Sequence, residues 1–266
     1  MIDLDGTILL DHKNISDKTL ETIERLLDKG IEVVPTTGRY YGAVPNKLKN
    51  NKRIHYVASL NGAEIYDNKN DKPLLEAFID QKLALEIIKK AESASDSSFV
   101  VSSDGVIVKK VSEKYQSDFD IKLMQEFHQS AKAVENIYEY LIESKKKLKK
   151  IEFSFKSTEL RDKYYNQFIN FENIDTVSSN EFNIEITAKN TNKGTALHFL
   201  KDYLKIKTSE VLAIGDSEND ISMLEEAGIS VAMANANKEV KSVSDFISKS
   251  YLEDGFTFAI KKCLKI

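Results

Sequence analysis

The sequence has no tryptophan, three prolines and one cysteine, Cys263. A single cysteine excludes an intrachain disulfide, and a reducing cytoplasm fits that count. Cys263 lies on an apolar helical pattern near the C-terminus and reads as a core thiol. An excess of positive charge is missing too. The 38 Lys and Arg stand against 42 Asp and Glu, for a formal net charge of -4 and a pI near 5.7. That balance leaves no electrostatic footprint for nucleic acid. The longest apolar runs, such as 211–215 and 99–101, are strand-sized, far below the roughly 20 residues of a membrane span. The opening MIDLDGTILL is acidic with no basic leader, so it does not read as a signal peptide. His12, His55, His128 and His198 show no metal-ligand spacing. Internal repeats and low-complexity linkers are absent as well. What remains is a 266-residue chain, 41% hydrophobic and 30% charged. It is long enough for one large or two modest domains with a packed core, and a monomer is the default expectation.

The first third alternates strand and helix patterns. Ile2 to Leu4 reads as a short strand. Ser16 caps a helix with the apolar face Leu20, Ile23, Leu26 and Leu27, ended by Gly30. Ile31 to Val34 reads as a strand stopped by Pro35, and Tyr56 to Ser59 as another. Asn61-Gly62 marks a turn into Ala63 to Tyr66, and Leu74 to Ile79 follows. In the middle, Leu83, Ile87, Ile88 and Ala91 form a helical stripe. Phe99–Val101 and Val106–Val108 flank Ser103-Asp104-Gly105 as a hairpin, and a long helical stretch runs through Leu141. The run Lys145 to Lys150 reads as a solvated helix end. Ile151–Phe155 and Phe182–Thr187 read as strands around a helix over Leu160–Phe171. The last third returns to alternation: helix Leu197–Leu204, strand Val211–Ile214, helix Ile221–Ala227, strand Val231–Met233. Strands alternating with helices predict a parallel sheet with helices on both faces. The expected organisation is one α/β core, residues 1–78 and 189–266, with a smaller α/β insert over 79–188.

Two motifs carry chemistry. In Asp3-Leu4-Asp5-Gly6-Thr7, residues two apart on a strand point the same way. The two acids therefore converge at the strand's carboxyl end, where open α/β sheets bind ligands. Such a pair suits a nucleophile and a proton carrier. In Gly215-Asp216-Ser217-Glu218-Asn219-Asp220, the acids again follow an apolar strand, where oxygen ligands can hold a hard cation. Read singly, the first motif is an ordinary Asp-Gly turn and the second a charged helix cap.

Together with TTGR at 36–39 and the lysine of NKGTAL at 192–197, these motifs resemble the haloacid dehalogenase superfamily, in particular its Cof-type branch with an inserted α/β (C2B-type) cap. SLNGAEIYD at 59–67 and VAMANA at 231–236 resemble further signatures of that branch, so the likeness spans the chain and is least specific in the cap. It implies a Rossmann-like core with a parallel sheet sandwiched by helices, and hydrolysis of a small phosphate monoester with Mg2+. Residue by residue, Asp3 is similar to the nucleophile that becomes aspartyl-phosphate. Asp5 matches the general acid and base. Thr37, Gly38, Arg39, Asn61 and Asn219 match phosphate- and substrate-side positions. Lys193 matches the lysine that neutralises phosphate and nucleophile. Asp216, Asp3 and the carbonyl of Asp5 match the magnesium ligands, and Asp220 matches the residue that orients the lysine. The implied partner is a small phosphorylated metabolite such as a sugar phosphate, nucleotide or cofactor phosphate. A phosphomutase or phosphotransferase on the same site, and a non-catalytic phosphate-binding regulatory protein, are the alternatives.

Electrostatics explains the ensemble. A phosphate monoester near a carboxylate at about 4 Å costs roughly 4 kcal/mol per charge pair at an effective dielectric near 20. Asp3, Asp216 and Asp220 supply three negative charges, which magnesium and Lys193 offset. Two departures from the family pattern stand out. Ala234 replaces a frequent glycine. Only Met1 and Ile2 precede Asp3, against a usual strand of about five or six residues, so several upstream residues are expected in the natural protein.

Overall fold

The computed structural model of the chain describes residues 1–11, 13–95, 97–102, 105–109 and 131–264. His12, His128 and the hairpin residues Ser103 and Asp104 lie outside the described residues, as does most of the expected long helix before Leu141. Two compact units divide the chain: Met1–Leu75 with Asn192–Ile266, and Glu76–Thr191. The insert thus begins three residues earlier and ends three later than the pattern suggested. Ile79 pairs with Leu148, tying its approach to the insert's own sheet. At the other junction Thr191 donates its N–H to Asp175 (3.0 Å), and the Thr187 hydroxyl donates to the Thr191 carbonyl (2.8 Å).

In the first unit the chain forms β1 (Leu9–Asp11), β2 (Asn14–Ile15), α1 (Asp17–Asp28), α2 (Asn46–Lys49), β3 (Tyr56–Ser59), β4 (Glu64–Asp67) and β5 (Lys72–Glu76). Ser16 caps α1, its hydroxyl accepting the Thr19 N–H. The central parallel sheet includes two stretches joined by single bridges rather than long ladders. Ile2 pairs with Ile214 on one side and Pro35 on the other, and Thr36 with Ala58. The strand expected over Ile31 to Val34 and stopped by Pro35 is instead a pair of single bridges at Pro35 and Thr36 themselves. Pro35 is tolerated because Val34 and Thr36 carry the bonds to Ile2, while the Pro35 carbonyl accepts the Ala58 N–H (2.9 Å). The Met1 amine is buried and donates to the Leu212 carbonyl (2.6 Å), and burial pushes its pKa down to about 5.

In the second unit come α3 (Gln81–Ala91), β6 (Ser97–Ser102), β7 (Gly105–Lys109), β8 (Lys132–Val134), α4 (Ile137–Ser144), β9 (Leu148–Ser154), α5 (Thr158–Phe168), β10 (Ile174–Val177) and β11 (Asn183–Ala188). Their sheet order is β10-β11-β9-β6-β7-β8, antiparallel except for β7 with β8. Val100, Ile151, Phe153 and Ile184 pack one face against Ile87, Ile88, Leu141 and Phe168. Two expectations hold only in part here. Of the stretch expected to be helical through Leu141, the described residues form a strand at 132–134 and a helix from Ile137. Lys145 ends α4 and is exposed, as the solvated helix end requires, but Lys149 and Lys150 are buried strand residues. Lys149 pairs with Glu76 (2.6 Å), and Lys150 with Glu152 and Glu185 (2.8 Å each). Burial alone would push the Lys150 pKa down, but the two glutamates hold it above the ordinary lysine value. Their charge permits what lysine alone would not tolerate at this depth.

The chain then returns to the first unit with α6 (Lys193–Leu204), β12 (Leu212–Gly215), α7 (Ile221–Glu226), β13 (Ile229–Ala232), α8 (Lys238–Ser242), β14 (Phe246–Ile247) and α9 (Gly255–Leu264). β12, β13 and β14 are parallel. Alternation along the strands sends Leu4, Ile214 and Val231 toward Ile23, Leu26 and Phe256 of α1 and α9. Ala213 and Ala232 point to the other face, against Leu197, Met223, Leu224 and Val240 of α6, α7 and α8. The sheet is therefore a parallel core sandwiched by helices. Cys263 is half-buried against the first of these clusters. No helix among the described residues is long and apolar enough to cross a membrane.

One surface contact gives a pH test. The Ser230 backbone N–H and hydroxyl both donate to Asp245 Oδ2 (2.9 Å each) and hold its carboxyl below the usual value of 3.8. A lowered folded pKa adds stability above the unfolded value, and that stability is lost as pH falls through the folded one. Asp245→Asn is expected to lower the melting temperature slightly at pH 7, since solvent screens the pair. The difference should shrink as pH falls below 3.8 and vanish once pH is below the folded value, as a melting series across pH would read.

Candidate active site

Strand ends place the chemistry. Asp3 lies one residue beyond the Ile2 bridges, and its N–H donates to the Ile214 carbonyl (3.0 Å). Asp216 follows β12, and Thr37 ends the stretch paired with β3 through an N–H to the Ala58 carbonyl (2.9 Å). Gly6, at φ +76°, turns the chain sharply, and a Cβ there would collide with the Asp216 carboxylate. Lys193 opens α6 under an Asn192–Thr195 capping box, which satisfies the N–H groups of the first turn.

The Lys193 ammonium is fully buried and donates to Asp3 Oδ1 (2.7 Å) and Asp220 Oδ1 (2.6 Å). The other Asp220 oxygen accepts the N–H groups of Asp216 (2.9 Å) and Ser217 (3.0 Å). Asp216 accepts from the Thr7 hydroxyl (3.5 Å) and from the Asn235 amide (3.1 Å), which also donates to the Gly6 carbonyl (2.9 Å). The Thr37 hydroxyl is buried and accepts the Arg39 N–H (3.1 Å), with Gly38 between them. Asn61 sits in the left-handed region at φ +54°, donates its N–H to the Thr37 carbonyl (2.9 Å), and accepts the Asn219 amide (3.0 Å). Gly62 behind it, at φ +92°, lies where a Cβ would strike the Asn192 carbonyl. The loops carrying Thr37, Asn61, Asn219 and Lys193 are thus bound to one another. Asp5 takes a different partner: Arg39 Nε and Nη2 donate to its two carboxylate oxygens (2.7 and 2.5 Å).

The acids outnumber the cation. Carboxylate oxygens of Asp3, Asp216 and Asp220 lie within 4.8 Å of one another. Burial, then the nearby Asp220 charge, raises the Asp3 pKa well above its ordinary value of 3.8 against the pull of Lys193. The same two causes lift Asp216 to about 7. Burial would depress Lys193, yet Asp220 and Asp3 raise its pKa above the ordinary value, so the ammonium stays charged. Asp3 Oδ2 is buried with no hydrogen-bond partner. A pocket of crowded carboxylates with one orphaned oxygen fits a small hard cation bound through oxygen. Asp3 and Asp216 could hold it, whereas Asp220 already takes the Lys193 ammonium on one oxygen and two backbone N–H groups on the other.

Sequence reasoning gave no role to Thr7 or Asn235, although both lie in the quoted DLDGT and VAMANA stretches and both touch Asp216. His55 pairs with Glu32 (2.9 Å) and His198 with Asp202 (3.4 Å). A mostly apolar cavity of about 180 Å³ lies at the opposite ends of the same strands, lined by Met1, Val34, Leu197 and Leu212, and contains none of these acids.

The family model for haloacid dehalogenase-like hydrolases matches residues 1–260. The chain belongs to that family. A 5-amino-6-(5-phospho-D-ribitylamino)uracil phosphatase of Bacillus subtilis, YcsE, is 29% identical over 98% of this chain and 93% of its own length. Phosphatase YwpJ of the same organism is 30% identical over 99% of this chain and 98% of its own. The solved structure of a haloacid dehalogenase-like hydrolase from B. subtilis superposes with a TM-score of 0.84 at 27% identity, covering 99% of both chains. This haloacid dehalogenase-like protein is an enzyme, a phosphoric monoester hydrolase, with the family's Rossmann-like core and an inserted α/β domain.

Proposed function

We propose that the enzyme hydrolyses small phosphate monoesters in two steps through an aspartyl-phosphate on Asp3, with Mg2+. The observation that carries this reading is the convergence of Asp3, Asp216 and the buried Lys193 ammonium around the orphaned Asp3 Oδ2. In the first step an Asp3 oxygen attacks phosphorus and the bond to the leaving oxygen breaks. Asp5 gives that oxygen its proton. In the second step water attacks phosphorus and gives a proton to Asp5, the bond from Asp3 to phosphorus breaks, and inorganic phosphate leaves. Lys193 balances charge on Asp3 and on the phosphoryl oxygens, and the Thr37 hydroxyl with the Asn219 amide hold those oxygens. Magnesium, held by Asp3, Asp216 and the Asp5 carbonyl, would supply charge neutralisation of phosphate and carboxylate. Without it, three carboxylates would meet a phosphate dianion with one ammonium to offset them.

The second unit, Glu76–Thr191, is the part we assign to substrate choice. A screen of phosphate release across sugar phosphates, nucleotides, flavin and pyridoxal phosphates tests the reading, and the substrate named for YcsE belongs in the panel. Release is expected with Mg2+ and should fall at least ~100-fold with a chelator. Full activity in chelator, or none on any substrate with Mg2+, would overturn it.

A further inference from the structure

The reading of the resemblance puts Arg39 on the phosphate; the geometry points elsewhere. We infer that Arg39 is a positioning residue for Asp5, gripping the proton-carrying carboxylate through a two-point fork, and that it does not bind the phosphoryl group. This rests on the two-step reading above, since it concerns the residue that moves the proton in both steps.

Three observations carry it. Arg39 Nε and Nη2 each donate to a different oxygen of the same carboxylate, at 2.7 and 2.5 Å. Two parallel bonds fix both the place and the rotation of a carboxylate, which a single cation does not. The third nitrogen, Nη1, donates to the Ala43 carbonyl (3.2 Å), so the fork is itself braced by the 3-10 turn Tyr41–Ala43. Exposure differs across the pair: the Arg39 side chain is 11% exposed and that of Asp5 41%. The arginine is the fixed member, and the carboxylate stands toward solvent, where a leaving oxygen or a water arrives. Its backbone is fixed too, with the Arg39 N–H on Thr37 Oγ1 (3.1 Å) and the Arg39 carbonyl accepting the Leu60 N–H (2.8 Å).

The phosphate-side charge is already assigned within the pocket. Lys193 touches Asp3 and Asp220 directly, whereas the fork is turned to Asp5. A general acid and base must lie within hydrogen-bond reach of the atom it serves, and small misplacement of a reacting group costs as much as 100-fold in rate. The fork therefore acts on turnover and leaves ground-state phosphate affinity alone.

The test is a double-mutant cycle of Arg39→Gln, Arg39→Lys and Asp5→Asn. Steady-state rates are read on the best substrate of the screen, and inorganic phosphate binding is read by calorimetry with Mg2+. Arg39→Gln is expected to lower kcat ~10- to 100-fold, with phosphate affinity and KM within about twofold. Arg39→Lys should recover only part of kcat, because it restores charge without the fork. Once Asp5 is Asn, adding Arg39→Gln should cost less than about threefold more, since the two act as one unit. A weakening of phosphate binding tenfold or more in Arg39→Gln, or independent losses in the double variant, would overturn the inference and restore Arg39 to the phosphate. If the wild type turns over no substrate, the two-step reading fails by itself, and calorimetry on wild type and Arg39→Gln still decides whether Arg39 binds phosphate. Melting curves guard against misfolding. Should Arg39→Gln prove unfolded, the Lys variant carries the same comparison: unchanged phosphate affinity with reduced kcat supports the inference, and weakened affinity overturns it.

Discussion

Asp3→Asn is expected to abolish turnover, lowering kcat by ~10⁴-fold or more, while the fold survives. The substitution is nearly isosteric and keeps one carbonyl oxygen to accept the Lys193 ammonium, now 2.7 Å from Asp3 Oδ1. What it removes is the second anionic oxygen, the one that is buried without a partner. An amide there is a poor nucleophile toward phosphorus and a poor ligand for a hard cation. The stability consequence runs the other way. Asp3 lies with Asp216 and Asp220 in a pocket where burial already disfavours its charge. Removing one of three crowded carboxylates relieves repulsion, so the melting temperature in chelator should stay level or rise. The stabilisation gained on adding Mg2+ should shrink at the same time, because binding to the folded state alone raises apparent stability. Rapid-quench labelling with a radioactive phosphate ester should show label on the wild-type chain and none on the variant. Retained activity in Asp3→Asn would move the nucleophile elsewhere and remove the basis of the two-step mechanism.

How far such a site can be read in advance depends on how local its cause is. The strand-end placement of DLDGT and GDSEND was legible because it follows from an apolar stretch and the residues directly after it. Asp3 and Asp216 indeed lie at neighbouring strand ends, joined through Ile2 and Ile214. Lys193 is 190 residues from its partner Asp3. Nothing around it distinguishes it from any lysine that opens a helix, and only the family pattern singled it out. The Asp5–Arg39 fork spans 34 residues and was not legible at all, since spacing says nothing of which side chains meet across two loops.

Where the reading failed, long-range pairing had overridden local character. Six residues containing five lysines look like solvent-facing chain, yet Leu148, Ile151 and Phe153 anchor a central strand there. Lys149 and Lys150 are buried because Glu76, Glu152 and Glu185 arrive from the same strand and from others. Pro35 misled in the opposite direction. A proline stops a strand only where its missing N–H faces a required acceptor, and at Pro35 the bonds to Ile2 belong to Val34 and Thr36.

Lys193→Met is the variant with the largest expected cost to the folded state. The ammonium is completely buried and bridges two carboxylates at 2.7 and 2.6 Å. Methionine keeps the length and the apolar stem, so the loss is the charge and its two bonds. Two buried acids are then left without their cation. Breaking a buried pair from one side typically costs about 3–5 kcal/mol, which in a protein of this size lowers the melting temperature by roughly 10 °C. The partners allow the charge to be separated from the packing. If uncompensated carboxylates are the cause, Asp220→Asn placed on Lys193→Met should recover several degrees, although on the wild-type background it destabilises. Packing damage would leave the two losses additive. Activity should not recover with stability: kcat in both Lys193 variants should stay down at least ~10³-fold, because the charge that offsets Asp3 and the transferring phosphoryl group is gone. A melting temperature for Lys193→Met within about two degrees of wild type in chelator would show that the pocket does not depend on this cation. The charge balance that links the fold to the chemistry would then have to be drawn without it.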